Sequence, residues 1–551
     1  MEQNETRETT TDVLLVGYGP VGATMALFLG RYGIKSLVVD KAEEIFRAPR
    51  AIALDNEALR ILQLAGVPET GFARVAVPFV RMRSPVFGEF GRINSAGTID
   101  GQPKLVTFYQ PELEEALRNE VSRQASVTVR LGLELQSFDE GGDGVDALLR
   151  DAAGQEIRVR SRYIVGADGA NSRLRQLIGE DFTGETYPED WLVVDAKNAP
   201  EPIDHVEFIC DPRRPTPHMV APGGRQRWEF MLRKGESREE MESDATITRL
   251  LAPWIKGRPV EIERRAVYRF HARTAAHFRK GRAFLIGDAA HITPPFVGQG
   301  LVAGLRDCAN LTWKLAWVLR GQAGAAILDT YDEERRPHAA AMINLAKFMG
   351  RLIMPTNLVK AALVHGLMRL TRLTPAMRAY FDELGIKPKN AFARGLFVAG
   401  VRRKLANGAW FPQGLVRTRD GAILLSDDAL GGRLALVGLG TDAVFALTPS
   451  QREALAAAGG VAVRIGFRDQ SPPKDDDSLT LEDMTGAFTP GVGPVGWALL
   501  IRPDRTILHQ GPAERLDAIL TEGLALLRSL NQQPTLDGTF AQPIPAPGLS
   551  G

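Results

Sequence analysis

Cysteine is scarce in this chain: Cys210 and Cys308 are the only two among 551 residues. They stand far apart and form no C-x-x-C pair, which excludes thiol–disulfide exchange chemistry. A secreted fold crosslinked by disulfides is also excluded, because such folds need several cysteine pairs. Two unpaired thiols favour a cytoplasmic protein.

Long apolar runs and an excess of charge are also missing. No run reaches the roughly 18 apolar residues that span a bilayer, and the polar N-terminal segment MEQNETRETTTD does not resemble a signal peptide. The 67 basic residues are balanced by 66 acidic ones, so no basic stripe favours nucleic acid or a membrane surface. We therefore expect no nucleic-acid partner, no membrane partner and no metal site.

The chain is long enough, and contains enough apolar residues, to form the hydrophobic cores of several domains. Its 551 residues are 44% hydrophobic, which suits about three or four domain-sized units.

The first chemical motif is VLLVGYGPVG at 13–22. It begins with an apolar run short enough for a buried parallel strand. Gly17, Gly19 and Gly22 then fit the pattern G-x-G-x-x-G, whose glycines permit a tight turn, close approach of a pyrophosphate and close helix packing. Asp40 ends the next strand, where a carboxylate accepts hydrogen bonds from a ribose hydroxyl. Strand, glycines, helix, strand and acid in this order predict a site for an ADP moiety.

The second motif, GRAFLIGDAAHITPPFVGQG, lies far downstream at 281–300. A strand is predicted at 283–286, and Asp288 at its end suits a ribityl chain. The turn PPFVGQG precedes a helix start at about Leu301, where backbone N–H groups can face a flavin carbonyl. Gly298 and Gly300 leave room for a planar ring. The two motifs together predict FAD, not NAD alone, and the missing cysteine pair then argues against a flavin disulfide reductase.

A third element, YIVGADGANSRLRQLIG at 163–179, places Asp168 at the end of a strand. Ser172, Arg173 and Arg175 open the following helix, where basic residues and free N–H groups suit phosphate. An ordinary strand–turn–helix without a ligand remains the alternative for this element.

These three motifs, in this order, resemble those of the group A FAD-dependent aromatic hydroxylases, the para-hydroxybenzoate hydroxylase-like monooxygenases. The 3-(3-hydroxyphenyl)propionate hydroxylases are the nearest resemblance, and PRAIALDNEALRILQLAGV (49–67), FYQPELEEAL (108–117) and LDTYDEERRPHA (328–339) fit it as well. The resemblance implies an α/β fold: a Rossmann-like FAD-binding domain of the GR2 type, an antiparallel-sheet substrate domain, and a C-terminal thioredoxin-like domain without redox cysteines.

The predicted domains are discontinuous along the chain. The FAD-binding domain takes 10–80, 105–180 and 265–350, and the substrate-binding β domain takes 81–104 and 181–264. A helical linker region at 351–395 leads to the thioredoxin-like domain at 396–551, which should serve structure or assembly, with a homodimer as the assembly to test.

The resemblance also implies a set of FAD contacts. Many relatives carry Asn shortly after GQG, whereas this chain has Val302 there, so only a backbone contact is expected at that position. The implied cofactor residues are Gly17, Gly19, Pro20, Gly22, Asp40, Lys41, Arg50, Gln110, Asp168, Gly287, Asp288, Pro295, Gly298, Gly300, Leu301 and Val302.

The activity implied is hydroxylation of a phenol with NADH or NADPH and O2, through a flavin C(4a)-hydroperoxide, in aromatic-compound catabolism. Two alternatives remain: a hydroxylase of polycyclic phenols, as in polyketide tailoring or antibiotic inactivation, and a flavin-binding protein without turnover. A small closed pocket favours the first activity, and a wide cleft favours polycyclic phenols.

Catalytic roles are predicted for Asp55, His291 and Pro295. His291 is equally compatible with bracing the flavin turn. Tyr268 and His271 are further candidates for deprotonating the phenol. Substrate contacts are predicted for His218, Met219, Phe230, Arg273 and Phe296, with core packing as the alternative for most of them.

Overall fold

The computed structural model describes residues 8–47, 51–355, 357–375, 377, 387–388, 390–400, 405–441, 447–468, 470 and 479–528. Arg50, predicted to contact the FAD phosphates, lies outside these residues. Within them, no helix combines the length and the apolar character needed to cross a membrane.

Strands are numbered here in chain order. They are β1 (Glu8–Val16), β2 (Ser36–Asp40), β3 (Ala53–Asp55), β4 (Arg74–Ala76), β5 (Phe79–Ser84), β6 (Gly88–Asn94), β7 (Thr98–Ile99), β8 (Gln102–Pro103), β9 (Leu105–Phe108), β10 (Val127–Leu131), β11 (Leu133–Glu140), β12 (Val145–Asp151), β13 (Glu156–Gly166), β14 (Phe182–Lys197), β15 (Val206–Ile209), β16 (Thr216–Ala221), β17 (Arg225–Met231), β18 (Glu261–Ala275), β19 (Arg279–Lys280), β20 (Ala283–Leu285), β21 (His291–Ile292), β22 (Leu415–Thr418), β23 (Ile423–Leu425), β24 (Leu434–Leu439), β25 (Gly460–Gly466), β26 (Leu479–Asp483), β27 (Trp497–Ile501) and β28 (Ile507–Pro512).

Helices are numbered in the same way. They are α1 (Pro20–Arg31), α2 (Asn56–Ala65), α3 (Gln110–Val121), α4 (Arg173–Leu177), α5 (Arg238–Met241), α6 (Asp244–Ile255), α7 (Gly300–Leu319), α8 (Asp329–Ile353), α9 (Leu358–Thr371), α10 (Ser426–Leu430), α11 (Pro449–Ala457) and α12 (Leu516–Arg528), with 3-10 turns at Gly287–Ala289, Pro295–Val297, Ala325–Leu328 and Ala513–Arg515.

The first sheet carries the nucleotide motifs. Its order is β10-β2-β1-β13-β12-β11, and β20 adds to β13. The strands β10, β2, β1, β13 and β20 pair in parallel, whereas β12 and β11 return antiparallel. The apolar run at 13–16, in the second half of β1, is buried, as expected for a strand covered on both faces. The carboxyl ends of β1, β2, β13 and β20 therefore bring the motifs to one edge.

The second sheet includes β21, a strand that belongs to the motif at 281–300. Its order is β21-β18-β14-β17-β16-β15-β5-β6, antiparallel except for the pair β15 and β5. The long strand β18 crosses the predicted domain boundary at residue 265 and pairs with β14 as far as Ala275. Because β21 follows directly on the GDAA turn and pairs with β18, the edge of this sheet is fixed against the second motif.

Side chains of the second sheet alternate between two environments. On one face Leu192, Val194, Trp228 and Phe230 form a core with Leu251 of α6 and its neighbours. The opposite face lines a large cavity. The period of two thus decides which residues of β14, β15, β16 and β17 can meet a ligand, whereas residues 267–271 of β18 all line the cavity.

The C-terminal unit is a sheet of order β23-β22-β26-β25-β24-β27-β28. Two fully buried ion pairs connect it to the first part of the chain. Arg60 of α2 donates from Nε to Oδ2 of Asp427 at 2.6 Å, and Arg502 donates from Nη1 to Oε1 of Glu334 in α8 at 2.6 Å. These contacts make the unit part of one packed body.

Candidate active site

One cavity of about 1690 Å³ runs between the nucleotide sheet and the inner face of the second sheet. All three sequence motifs contribute to its wall, together with α8. Pockets for one small ligand usually measure about 300–1,000 Å³, so this volume suits a dinucleotide and a second molecule together.

The three glycines of the first motif have different tasks. Gly17 has φ +105° and a β-carbon there would lie 2.4 Å from the Ala167 carbonyl oxygen; at Gly22 it would lie 2.0 Å from that of Gly17. At Gly19 a β-carbon would meet nothing within 4 Å, although Gly19 lines the cavity. No side chain caps the N-terminus of α1, so its first N–H groups are available to an anion. The turn therefore fits a pyrophosphate: two glycines serve the fold and Gly19 leaves the space.

The acid at the end of β2 is fixed by its own loop. Asp40 accepts hydrogen bonds from the backbone N–H of Tyr18 at 2.6 Å and of Ala42 at 2.8 Å. Asp40, its neighbour Lys41 and Pro20 line the cavity. This placement suits the predicted ribose contact.

Two residues of α3 border the same end of the cavity. Gln110, a predicted contact, accepts a hydrogen bond from the Ala51 N–H at 3.0 Å. Arg118 was not predicted; it donates to the Tyr18 carbonyl at 3.0 Å and to Glu114 at 2.7 Å. It lies one residue beyond the stretch FYQPELEEAL, so extending that pattern could have found it.

Asp168 of the third element lines the cavity and also holds its own loop. Its Oδ2 accepts hydrogen bonds from the N–H groups of Arg173 at 2.6 Å and Leu174 at 3.1 Å. Burial raises the pKa of this carboxyl. Arg175 turns away and donates to the Ala289 carbonyl at 2.8 Å, which joins the third element to the second motif. The element therefore combines a cavity position with a structural task.

Residues of the second motif divide between the cavity wall and the layer behind it. The wall contains Asp288, Pro295, Gly298, Gly300 and Leu301. The helix α7 begins at Gly300 without a side-chain cap, so the positive end of its dipole faces the cavity.

Two predicted cofactor residues lie behind this wall. Gly287 donates its N–H to Oδ2 of Asp307 at 3.0 Å, and Val302 is fully buried in the core. The side chain of Val302 therefore cannot reach the cavity, and the backbone contact expected there stays a prediction.

His291 also lies behind the wall. Its Nε2 is 2.7 Å from Oδ2 of Asp307, whose Oδ1 accepts from Arg335 Nε at 2.8 Å. His291 is buried and is not among the described residues that line the cavity. This geometry favours the bracing role that the sequence left open.

Asp55 stands at the cavity wall in a network of charges. Its Oδ1 caps α2 through the Ala58 N–H at 2.9 Å, and its Oδ2 accepts from Gln299 Nε2 at 3.0 Å and from Lys387 Nζ at 2.7 Å. Burial by itself raises the pKa of Asp55, but Lys387 and Arg306 outweigh it and hold the pKa below the ordinary range. A carboxylate so stabilised is a weak base, and its clearest task is to position the GQG turn.

Four members of this network were not predicted. Arg306 donates to Glu57 at 2.7 Å and to the Gln299 side chain at 3.0 Å, and Lys387 also reaches Glu57 at 2.8 Å. Gln299 stands inside a recognised motif and could have been found, whereas nothing in the local sequence connects Lys387 to residue 55.

Predicted substrate residues fall on both faces of the second sheet. Met219 and Phe296 line the cavity. His218 and Phe230 point to the opposite core, where His218 stacks on Trp228 with centroids 4.6 Å apart and burial lowers the pKa of His218 to about 3. Arg273 donates to Thr186 at 2.8 Å and is not among the described lining residues.

An aromatic group forms beside the PPF turn. Phe296 packs edge-on against Trp191 at 6.1 Å and Phe270 at 6.0 Å between centroids, and Trp191 stacks on Phe270 at 5.6 Å. Tyr268 and His271, which lie on β18 with Phe270, line the cavity as well. An apolar aromatic surface next to the second motif can receive a planar ring and exclude water.

The fold and the cavity define a flavoprotein: a dinucleotide-binding sheet whose glycine turn opens on a chamber with an aromatic wall. The chain matches the FAD binding domain family over residues 10–346 and the HcaD C-terminal domain family over residues 408–526. It is 36% identical to the 3-(3-hydroxy-phenyl)propionate/3-hydroxycinnamic acid hydroxylase of Burkholderia cenocepacia (strain HI2424), covering 91% of this chain and 94% of that protein. The protein of the same name from Mycobacterium sp. (strain JLS) is also 36% identical, covering 94% and 92%. The chain belongs to the family of FAD-dependent aromatic hydroxylases, as the motifs predicted.

Solved structures agree on the fold. The flavin-dependent monooxygenase PieE, in complex with FAD and substrate, superposes with a TM-score of 0.76 at 21% identity, covering 94% of this chain and 99% of that one. Aklavinone-11 hydroxylase, with FAD and aklavinone, gives a TM-score of 0.72 at 24% identity, covering 95% and 100%.

Proposed function

We propose that this protein is a single-component FAD monooxygenase that uses NADH or NADPH and O2 to hydroxylate a small phenol carrying an acidic side chain. The observation that carries the proposal is the continuity of the cavity from Gly19 and Asp40, at the nucleotide end, to Phe296 at the aromatic end.

Bound FAD supplies the transfer of electrons from the nicotinamide and the activation of O2, chemistry that no side chain can supply. The protein's own residues bind and orient. The turn at Gly19 and the N-terminus of α1 hold the pyrophosphate, Asp40 takes the ribose, and Asp288 takes the ribityl chain. Pro295 and the first turn of α7 would border the flavin ring.

On the substrate side, Phe270 and Phe296, backed by the buried Trp191, hold the ring and keep water out. Asp55 keeps the GQG turn in place through Gln299 and stays ionised. His271 remains the clearest candidate for receiving the phenol proton, because it lines the cavity and carries an imidazole. Tyr268 also lines the cavity, but its neutral hydroxyl could only relay a proton, and His291 lies behind the wall.

The substrate class follows the curated relatives. Proteins 36% identical over most of the chain are named for 3-(3-hydroxy-phenyl)propionate and 3-hydroxycinnamic acid, which favours a small phenolic acid over a polycyclic phenol.

The remaining parts of the proposal concern the C-terminal unit and the location. The connection β24–α11–β25 is parallel, β27 and β28 form an antiparallel pair beside β24, and α12 follows; this order supports a thioredoxin-like unit. It has no cysteine, so its role is structural, and a homodimer is the assembly to test. Two buried free cysteines support a cytoplasmic location.

The test is a screen of wild-type protein with FAD, NADH or NADPH, and a panel of phenols. We expect 3-(3-hydroxyphenyl)propionate or a close analogue to stimulate NAD(P)H oxidation and to gain one oxygen atom by mass spectrometry. Stimulated oxidation by polycyclic phenols alone would support the alternative substrate class, and oxidation by none of them would contradict a hydroxylase.

A further inference from the structure

One carboxyl group faces the substrate end of the cavity and accepts no hydrogen bond from the residues that the structure describes. Glu229 of β17 lines the cavity and is 9% exposed. Only Coulomb interactions with Arg227, Asp195 and Arg264 act on it among the described residues. Buried polar groups are nearly always hydrogen-bonded. The oxygens of Glu229 are not among the fully enclosed unpaired atoms, so a ligand group inside the cavity can reach this carboxyl and complete it.

The position of Glu229 relative to the aromatic group sets the length of that ligand. Met231 pairs with Trp191, and Glu229 pairs with Val193, two residues further along the strand. Two residues of a strand span about 7 Å. A ring packed on Phe270 and Phe296, which line the cavity in front of Trp191, therefore needs a side chain of a few atoms to reach Glu229.

The charges around Glu229 come from three strands. Arg227 binds Asp195 through two hydrogen bonds at 2.6 and 2.9 Å. Arg264 donates to Asp195 at 3.2 Å and to the Tyr268 hydroxyl at 2.6 Å. The neighbouring strands β16 and β15 present apolar side chains to the cavity, which are Val206, Phe208, Pro217 and Met219.

We propose that Glu229 and Arg264 bind a carboxyl group at the end of the substrate's side chain, and that this carboxyl and Glu229 share one proton. This inference rests on the proposed function and identifies the residues that select the substrate. Two arginines already balance Asp195 and an ionised Glu229. A second anion is compensated only when one proton joins the carboxyl pair, and that proton is taken from solvent on binding.

The electrostatics of the free protein agree with this arrangement. Burial raises the pKa of Glu229, Arg227 lowers it, Asp195 raises it again, and the net direction is upward. A second carboxylate nearby raises the pKa of the pair further. Binding of an acidic substrate is therefore tighter at low pH and weakens as pH rises.

The experiment measures dissociation constants by isothermal titration calorimetry on the FAD-loaded protein at several pH values between about 6 and 8.5. Three ligands share one ring and one tail length: 3-(3-hydroxyphenyl)propionate, 3-(3-hydroxyphenyl)propan-1-ol and 3-propylphenol. At about pH 6 the acid should bind roughly tenfold or more tighter than 3-propylphenol, as expected for a hydrogen bond to a charged group. Its dissociation constant should rise with pH, whereas those of the two neutral ligands should not.

Three variants separate recognition from structure. Glu229→Gln mimics the protonated acid and should bind the propionate with no pH dependence. Glu229→Leu should also lose the pH dependence but bind the propionate more weakly than Glu229→Gln, because it keeps Arg264 and lacks a group that can hydrogen-bond to the ligand's carboxylate. Glu207→Gln is the control, because Glu207 is buried in the same sheet but pairs with Arg81 and Arg83 away from the cavity. It should keep the wild-type pH profile.

The inference would be overturned by equal affinity of the wild type for the acid and for 3-propylphenol, or by an unchanged pH profile in Glu229→Gln. A preference for the alcohol that is lost in Glu229→Gln would also overturn it, since it would mean an ionised Glu229 accepting from a hydroxyl. Calorimetry requires no turnover, so these results are independent of the NAD(P)H oxidation that tests the proposed function.

Discussion

Replacing Gly19 by Val should remove FAD binding and leave the fold intact. A β-carbon at Gly19 meets no atom of the described residues within 4 Å, and φ there is −72°, which any residue adopts. Val is a poorer N-cap than Gly, at a cost of up to about 1 kcal/mol, small beside the stability of a typical domain. The space that Val fills is the one that the pyrophosphate needs.

The loss of affinity can be estimated from the contacts that are displaced. Each hydrogen bond to a charged group contributes about 1.5–3 kcal/mol, so losing two phosphate contacts weakens binding by about 3–6 kcal/mol, or roughly 10²- to 10⁴-fold. The assay titrates apo-protein with FAD and follows flavin fluorescence, with thermal unfolding of the apo-protein as the control for folding.

Gly17→Val is the matched comparison for this prediction. Its β-carbon would lie 2.4 Å from the Ala167 carbonyl oxygen at φ +105°, so this variant should lose stability even without FAD. The reasoning would be refuted by wild-type FAD affinity in Gly19→Val, or by equal destabilisation of the two apo variants.

Three further predictions concern other parts of the site and its supports. Asp288→Ala should weaken FAD binding by about 1–3 kcal/mol, roughly five- to hundred-fold, in a variant with a normal circular dichroism spectrum; unchanged affinity would make Asp288 a structural turn residue. Burial opposes ionisation of Asp55 but Lys387 and a second cation prevail, so the folded-state pKa is depressed. Asp55 therefore stabilises the fold above about pH 4 and loses this effect as pH falls; urea unfolding of Asp55→Asn should show a flatter acid limb than the wild type. Arg502→Leu should cost about 3–5 kcal/mol of unfolding free energy in urea, because Glu334 stays buried with less compensation, and a loss below about 1 kcal/mol would contradict that.

The nucleotide end of the site could be predicted from sequence because its chemistry is local. Gly17, Gly19 and Asp40 lie at strand ends whose order along the chain fixes their meeting point. Asp288 and Pro295 were predicted for the same reason, and both line the cavity.

The substrate end depends on register, which a single sequence does not reveal. Met219 and His218 are adjacent, yet only Met219 lines the cavity, because neighbouring residues of a strand face opposite sides. A shift of one residue exchanges the two faces, and the aromatic and imidazole character that singled out Phe230 and His218 is as useful in a core as in a pocket.

Long-range ion pairs were beyond prediction for a different reason. The contact of Lys387 with Asp55 joins residues more than 300 positions apart, and any of the chain's many lysines and arginines could have taken that place. Only the packed structure selects one.

The buried pairs Arg60–Asp427 and Arg502–Glu334 carry an evolutionary consequence. Each pair has one partner in the first part of the chain and one in the C-terminal unit, and neither side chain of either pair touches solvent. A recombination event that replaced the C-terminal unit alone would remove one partner from each buried charge, leaving Arg60 with Asp100 and Glu334 with Lys314, unless the incoming unit brought the same partner. Lineages should therefore tend to inherit or exchange these two parts together, and chimaeras built by a cut between them should be more stable when the matching arginine and carboxylate are transplanted as a set.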